Sequence, residues 1–453
     1  MMGPEFRRYL WLELTPRRIV FMVAILALVF FAAAVSGPSW TPYSAAETIY
    51  YLIVVIWGAR NAGLSIVNEI RDRTWDLQRL SSIGAAEMAL GKLFGSTIYN
   101  WFGGAICLAV MLVYGFAHGT PGSTILDFIY YVIVGLVAQA AALLASLVAI
   151  RRRSVHSRLD VFLYQLLGVI AAVAVAYVWE AADPESALLL GRKSTDVIPW
   201  WGALVSARPF LLLSLAIFAG WILTGCYREM RRELKMENGP LVWVGFLVFS
   251  GLYVAGFDAW LPHEAVMANW NVIALRLALA STTFAALTYA MVLLEPKDRV
   301  LYRWYAGQII SGRISRAFGR LQAWLIAYGA AVLITIVLIW WLFAKGFGAF
   351  YPAIAVAGLG FLTRDVSIFV FFSATRRGDF AAIVSLFALY VLIPAILEGV
   401  GLKNMLPFFY PTPSNPVWLG PAVVWVEASI ALGLAASRIT LGGKRMISGP
   451  SRS

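Results

Sequence analysis

The chain has 453 residues, 61 % of them hydrophobic and only 13 % charged, with a net charge of +12 at neutral pH. Soluble domains carry about 25 % charged residues, so this composition cannot cover a water-exposed surface and excludes a soluble enzyme or binding module as the bulk of the protein. The basic excess is spread over short connections between apolar runs, which excludes a nucleic-acid partner and points to anionic lipid headgroups.

The first 18 residues, MMGPEFRRYLWLELTPRR, mix aromatic and basic side chains without an apolar core. No small-residue cleavage site closes the apolar run that follows, so they predict an interfacial helix on the inner leaflet and not a cleaved signal peptide. Twelve apolar runs then have the length a bilayer requires. The first six are Ile19–Val35, Ala45–Ala59, Thr97–Phe116, Phe128–Ile150, Val161–Trp179 and Phe210–Cys226. The second six are Leu241–Phe257, Val272–Leu294, Trp324–Ala344, Ala353–Ala374, Phe380–Leu397 and Trp418–Ala436. An all-α polytopic membrane protein is predicted.

Charge fixes the expected orientation. The N-terminal segment, the connections after the even-numbered spans and the C-terminal segment hold 29 of the 36 Lys and Arg residues. The opposite side holds five (Arg192, Lys193, Arg208, Lys345, Lys403), and Arg276 and Arg364 lie within spans. Cytoplasmic loops collect basic residues, so both termini are expected in the cytoplasm of a multi-pass plasma-membrane protein. Trp40, Tyr43, Trp179, Trp200, Trp201, Trp260, Trp270 and Trp418 fall where an interfacial aromatic belt would. Cys107 and Cys226 sit in apolar segments and read as core residues. His118, His156 and His263 are scattered over different loops, so no metal site is predicted.

The layout repeats. Residues 1–226 form one six-span half, 227–240 a basic linker (YREMRRELKMENGP) and 241–453 a second half. In each half the longest cytoplasmic connection follows the second span. It opens on an acid with an arginine four residues on (Glu69 and Arg73; Glu295 and Arg299) and closes on Gly-basic-Leu (Gly91-Lys92-Leu93; Gly319-Arg320-Leu321). The fourth span of each half ends in a basic pair, Arg151-Arg152 or Arg376-Arg377. Parallel repeats of this kind imply a pseudo-two-fold axis along the membrane normal.

The first long connection reads NEIRDRTWDLQRLSSIGAAEMALGKLFGS, Asn68 to Ser96. Thr74 can cap a short helix on which Trp75, Leu77 and Leu80 form an apolar ridge beside Arg73, Asp76 and Arg79. Such a helix outside the bilayer can lodge in a groove of a soluble partner. At Glu69, Arg73, Thr74, Leu77, Leu80, Ser81, Glu87, Gly91, Lys92 and Leu93 the segment resembles the coupling loop of ABC-2-type transporter permeases. The resemblance implies an exporter whose ATP and Mg²⁺ chemistry resides in a separate ATPase subunit, with two copies engaging this chain. In the second half Arg303 and Trp304 replace the apolar pattern, and the resemblance there is one of layout. No ATP site is expected in this chain. The stretch Gly84 to Lys92 spaces its glycines seven apart, and Leu93 stands where a phosphate loop needs Ser or Thr.

Polar groups also fall inside the spans: Gln139 in the fourth, Arg276 in the eighth, Arg364-Asp365 in the tenth and Glu427 in the twelfth. A charge at membrane depth costs about 3 kcal/mol on insertion scales and therefore has a partner or a function. Two readings stand: a polar substrate path, or a structural ion pair between helices. Neighbouring side chains leave a helix about 100° apart, which argues against an Arg364–Asp365 pair and for pairing of Arg364 or Arg276 with Glu427. The connection EAADPESALLLGRKSTDVIPWWG, with Asp183, Glu185 and Asp196, predicts short external helices. The rival functions are an ion-coupled secondary transporter using Asp365 and Glu427, and a membrane-embedded enzyme. For the enzyme the sequence offers no cluster of His, Asp or Glu at one membrane face.

Overall fold

The structure, a computed structural model, describes residues 3–36, 40–151, 158–181, 197–257, 271–295, 297, 299–373, 375, 378–412 and 414–441. Arg152, His156, Asp183, Glu185, Arg192, Lys193, Asp196, Trp260, His263, Trp270, Arg376 and Arg377, named above, lie outside these residues. The chain forms two compact units, one of Met1–Ile198 with Leu204–Asn238, the other of Pro199–Ala203 with Gly239–Ser453.

The first unit opens with α1 (Pro4–Glu13) and α2 (Pro16–Val35). Next comes α3, one continuous helix from Pro42 to Arg71 whose turns at Tyr51–Trp57 are π-helical. Each begins on a proline, whose fixed φ suits a first turn and whose missing N–H costs nothing there. Short helices α4 (Trp75–Arg79) and α5 (Ala85–Ser96) lead to α6 (Ile98–His118), α7 (Pro121–Arg151), α8 (Arg158–Ala181) and α9 (Ala207–Glu233). Between α8 and α9, strands β1 (Val197–Trp200) and β2 (Ala203–Ser206) pair through a turn in which Trp201 and Gly202 both take positive φ, 51° and 78°. That geometry matches the twist of a tight hairpin. The unit is built around α3 and α7, whose apolar stretches are 50 % and 56 % buried against 17 % for α2. Tyr50, Val54, Ala138 and Ala142 interlock at its centre, with Cys107 fully buried among them.

The second unit holds α10 (Leu241–Ala255), α11 (Val272–Leu294), α12 (Arg299–Ile310), α13 (Ile314–Gly319), α14 (Ala323–Ala344) and α15 (Phe350–Phe372). It closes with α16 (Gly378–Gly399), which is π-helical at Ala388–Leu392, a 3₁₀ turn at Lys403–Phe408, and α17 (Leu419–Leu441). Here α15 is the core helix, with 61 % of its apolar stretch buried.

Eleven of these helices are long and apolar enough to cross a bilayer, so the described chain is an all-α polytopic membrane protein. The seventh predicted span is the exception. As α10 it has 15 residues, about 22 Å of helix against the roughly 30 Å of a hydrocarbon core. Two predicted boundaries also move. The second span does not end at Ala59, because α3 carries Arg60, Asn61, Asn68 and Glu69 as helix. Nor does the linker begin at residue 227, since α9 runs on to Glu233.

Candidate functional site

The segment after α3 is shaped by a helix end. Asp72 leaves α3, Arg73 takes the left-handed conformation at φ 58°, and the amides of Thr74 and Arg73 return to the carbonyls of Glu69 (2.9 Å) and Ile70 (3.2 Å). This pair of bonds is a Schellman closure, with Arg73 where glycine usually stands. Thr74 does not cap α4 with its side chain, as its sequence position suggested. Its hydroxyl donates instead to the Glu69 carbonyl at 3.3 Å, consolidating the preceding helix end. The predicted apolar ridge is divided in the same way. Trp75 turns inward and is 5 % exposed, whereas Leu77 and Leu80 stand out at 71 % and 85 %.

Beneath them lies a closed charge network. Lys92 sits on α5 with no exposed surface, not in an open loop, and its Nζ donates to Glu69 Oε2, to Gln78 Oε1 at 2.9 Å and to Glu5 Oε1 at 3.2 Å. Gln78 Nε2 donates to Glu69 Oε1 at 2.7 Å, as does Arg8 Nη2 at 2.7 Å, and Arg8 also reaches Glu5 Oε1 at 2.9 Å. Two cations face two carboxylates, so the network is electrically balanced while tying α1, α3, α4 and α5 together. Burial, then the Glu69 carboxylate, pushes the phenol of Tyr9 well above its usual range, so Tyr9 stays neutral beside this network.

Glycine makes the close approach of α1 geometrically available. A Cβ at Gly91 would stand 3.0 Å from Glu5 Cβ, and one at Gly95 would stand 2.8 Å from the Tyr9 ring. Gly91 and Gly95 are one turn apart, as are Glu5 and Tyr9, so α5 offers a small-residue groove to α1. Sequence reading singled out Gly91 and Lys92 but missed Glu5, Arg8, Gln78 and Gly95. The GxxxG spacing in GKLFG was the available signal.

Gln139 has a different role from the one its position suggested. It is fully buried on α7, accepts from Trp101 Nε1 at 2.8 Å and donates to the Val54 carbonyl at 3.0 Å. Val54 lies in the π-helical turns of α3, where carbonyls lose their regular partners. Asn100 donates to the Ile53 carbonyl at 2.9 Å and Gln165 to that of Ile56 at 3.3 Å. Three side-chain amides thus donate to carbonyls of the π-helical stretch, and both ends of Gln139 are engaged, its oxygen by Trp101 and its nitrogen by Val54. Gly58 leaves room for it, since a Cβ there would meet Gln139 Nε2 at 2.4 Å.

In the second unit the intramembrane charges do gather. Arg364 Nη1 donates to Glu427 Oε2 at 2.7 Å and its Nε to Asp365 Oδ1 at 3.1 Å. The argument against an Arg364–Asp365 pair fails because Nε lies at the end of a three-carbon stem that curls back past the 100° between the two Cα–Cβ bonds. Asp365 Oδ2 accepts from Tyr289 at 2.8 Å and Tyr390 at 2.6 Å. The Arg364 guanidinium lies 4.9 Å from the centre of the Phe361 ring and 5.2 Å from that of Tyr390. Tyr289 and Tyr390 were not foreseen; hydropathy does not distinguish a span tyrosine that bonds a carboxylate from one at an interface. Arg276 stays apart from this cluster, 4.4 Å from the Trp201 ring centre near the start of α11.

The second-half counterparts of the α3–α5 segment are built differently. Glu295 is 4 % exposed, and its Oε2 accepts from the Trp324 amide at 3.2 Å, at the N-terminal end of α14. A carboxylate there satisfies an orphan helix donor and meets the positive end of the helix dipole. Arg299 is the first residue of α12, Gly319 ends α13, and the Arg320 carbonyl accepts from Tyr305 at 2.6 Å. Outside the spans Val300, Ile309, Ile310 and Ile314 are 59–86 % exposed, an apolar surface that sequence reading passed over.

No family model matches this chain, nor does any curated protein or solved structure.

Proposed function

We propose that the chain is the membrane-spanning part of an ABC-2-type transporter: two six-helix halves in parallel repeat, both termini cytoplasmic, exporting its substrate on the power of separate ATPase subunits. One observation carries the reading. Leu77 projects from a five-residue helix outside the spans, and Leu80 from the residue that ends it, on a base clamped by a balanced buried network. An exposed apolar pair on a rigid mount suits a groove in a soluble partner. The mount also joins α3 and α5, so a push on α4 is carried into a spanning helix. The basic residues Arg71, Arg73 and Arg79 around it favour its placement on the cytoplasmic side. Exposed Ile309, Ile310 and Ile314 supply a second apolar surface for a second ATPase copy. ATP and Mg²⁺ would then be bound by the partners.

The test is stimulation of a purified ABC-type ATPase from the same cell by this chain in lipid nanodiscs. Leu77→Asp should return hydrolysis to the level of the ATPase alone, with the permease still monodisperse; undiminished stimulation removes the proposal. A secondary transporter is the second reading, favoured by the charge cluster around Arg364. Substrate uptake into vesicles on an ion gradient, with no ATPase added, would establish it in place of the first.

A further inference from the structure

The cluster on α15 and α17 is not balanced. Arg364 contributes one positive charge, Asp365 and Glu427 one negative charge each, and Tyr289 and Tyr390 are neutral donors. With every group in its ordinary ionised form the cluster, counted over the described residues, holds a net charge of minus one. Uncompensated charge at membrane depth is costly, and something must neutralise it.

The geometry says where. Asp365 is 1 % exposed and already surrounded by donors: the Arg364 guanidinium on Oδ1 and two phenol hydroxyls on Oδ2. A proton added to Asp365 would be directed at another donor. Glu427 differs on each count. Its Oε2 takes the single bond from Arg364, no donor reaches its Oε1 among the described residues, and a third of its side chain is uncovered. Besides α15, α17 packs on the 3₁₀ turn carrying Lys403 and on α12 carrying Tyr302, Arg303 and Tyr305, and none of these bonds Glu427 among the described residues. On α17 itself, Arg438 stands over the Phe371 ring, three turns along.

We propose that Glu427 is a proton-binding site: its carboxylate takes up one proton at Oε1, leaving the Arg364–Asp365 pair to balance itself. The step is a simple association, carboxylate plus proton giving carboxylic acid, and needs no other reactant. A neutral Glu427 also weakens the hold of Arg364 on α17, whose Nη2 is buried without a hydrogen-bond partner. Protonation thereby alters the attachment of α17 to α15, the helix at the core of the unit. The inference stands apart from the proposed function, because it requires neither an ATPase nor a substrate.

Dicyclohexylcarbodiimide tests it, since this apolar reagent modifies carboxyl groups in their protonated form. The full-length chain in nanodiscs is treated across a pH series and its peptides are weighed. The expected result is one adduct on Glu427 and none on Asp365. Its yield should fall about tenfold for each pH unit once the acid form is the minority. Glu427→Gln should remove the adduct while leaving the protein monodisperse. Modification at Asp365 in place of Glu427, or none on either at any pH, overturns the proposal. Protection of Glu427 by sodium chloride but not choline chloride, at one pH, overturns it in favour of a metal-cation site.

Discussion

The two units each bury a cation between two carboxylates, and the resemblance ends at the arithmetic. Around Lys92 the second cation, Arg8, brings the sum to zero, and both Glu69 oxygens and Oε1 of Glu5 have donors. Among the described residues no second cation joins the cluster around Arg364, and Glu427 keeps one oxygen without a donor. A closed, balanced network stabilises one arrangement of its helices and resists any other. An open network short of one positive charge has two arrangements available, with and without a proton. The first suits a mount that must not bend, the second a joint that changes with its surroundings.

The harshest way to break this contrast is to delete the cation from the balanced side. Lys92→Met leaves Glu5 and Glu69 buried with only Arg8, which is itself partly exposed. Removing one partner of a buried ion pair costs about 3–5 kcal/mol, because the group left behind is charged and desolvated. Thermal unfolding in detergent should show that loss, and α1 should become accessible to protease near Arg7 and Arg8. A variant as stable as the parent, with α1 still protected, would mean that the network is decorative.

How much of this could be read from the residues depends on the range of the interaction. Eleven of the twelve spans were legible because each is a run of some twenty apolar residues, a signal wholly local, while the seventh, α10, has 15 residues. The exposed helix was legible from Leu77 and Leu80, and the Arg364–Glu427 pairing from the scarcity of partners at membrane depth. Lys92, by contrast, was counted with the loop cations that set orientation. Nothing within ten residues of it shows that its partners are Glu69 and Glu5, the latter 87 positions away. The π-helical turns were invisible for another reason. They shift hydrogen bonds by one residue without altering hydropathy, so Gln139 looked like a lone polar group facing a pathway. Its role appears only once its amide is seen to donate to the Val54 carbonyl within the π-helical turns.

The same isosteric change in both clusters sharpens the comparison. Glu69→Gln removes a charge from a balanced set, leaving Lys92 and Arg8 with one carboxylate; about 2 kcal/mol of stability should be lost, as for a hydrogen bond to a charged group. Glu427→Gln removes the surplus charge and keeps an oxygen for Arg364. Its effect should stay within about 0.5 kcal/mol, the range for changes that break no buried contact. Parallel thermal unfolding of the two variants decides between these expectations. Equal losses at both sites would show that charge balance does not separate them.

A further expected effect concerns neither cluster but the helix that carries the mount. Gln139→Leu would leave the Val54 carbonyl and the Trp101 indole N–H without their partner, in the driest part of the first unit. Hydrogen bonds between spanning helices are worth about 0.6 kcal/mol on average, and an orphaned buried group adds desolvation, so a loss near 1 kcal/mol is expected. The direction of the secondary consequence matters more than its size. Side-chain amides donate to three carbonyls of the π-helical turns. With Gln139 gone, α3 gains by restoring regular i to i−4 bonds at Val54. That would rotate everything beyond Trp57 by a fraction of a turn relative to Tyr50, Glu69 included. Hydrogen exchange of the amides around Gly58 should slow as the helix regularises, while α1 loses protection as Glu69 swings away from Lys92. Slowed exchange with α1 still locked would separate the two halves of α3, and the mount would then owe its position to α5 alone.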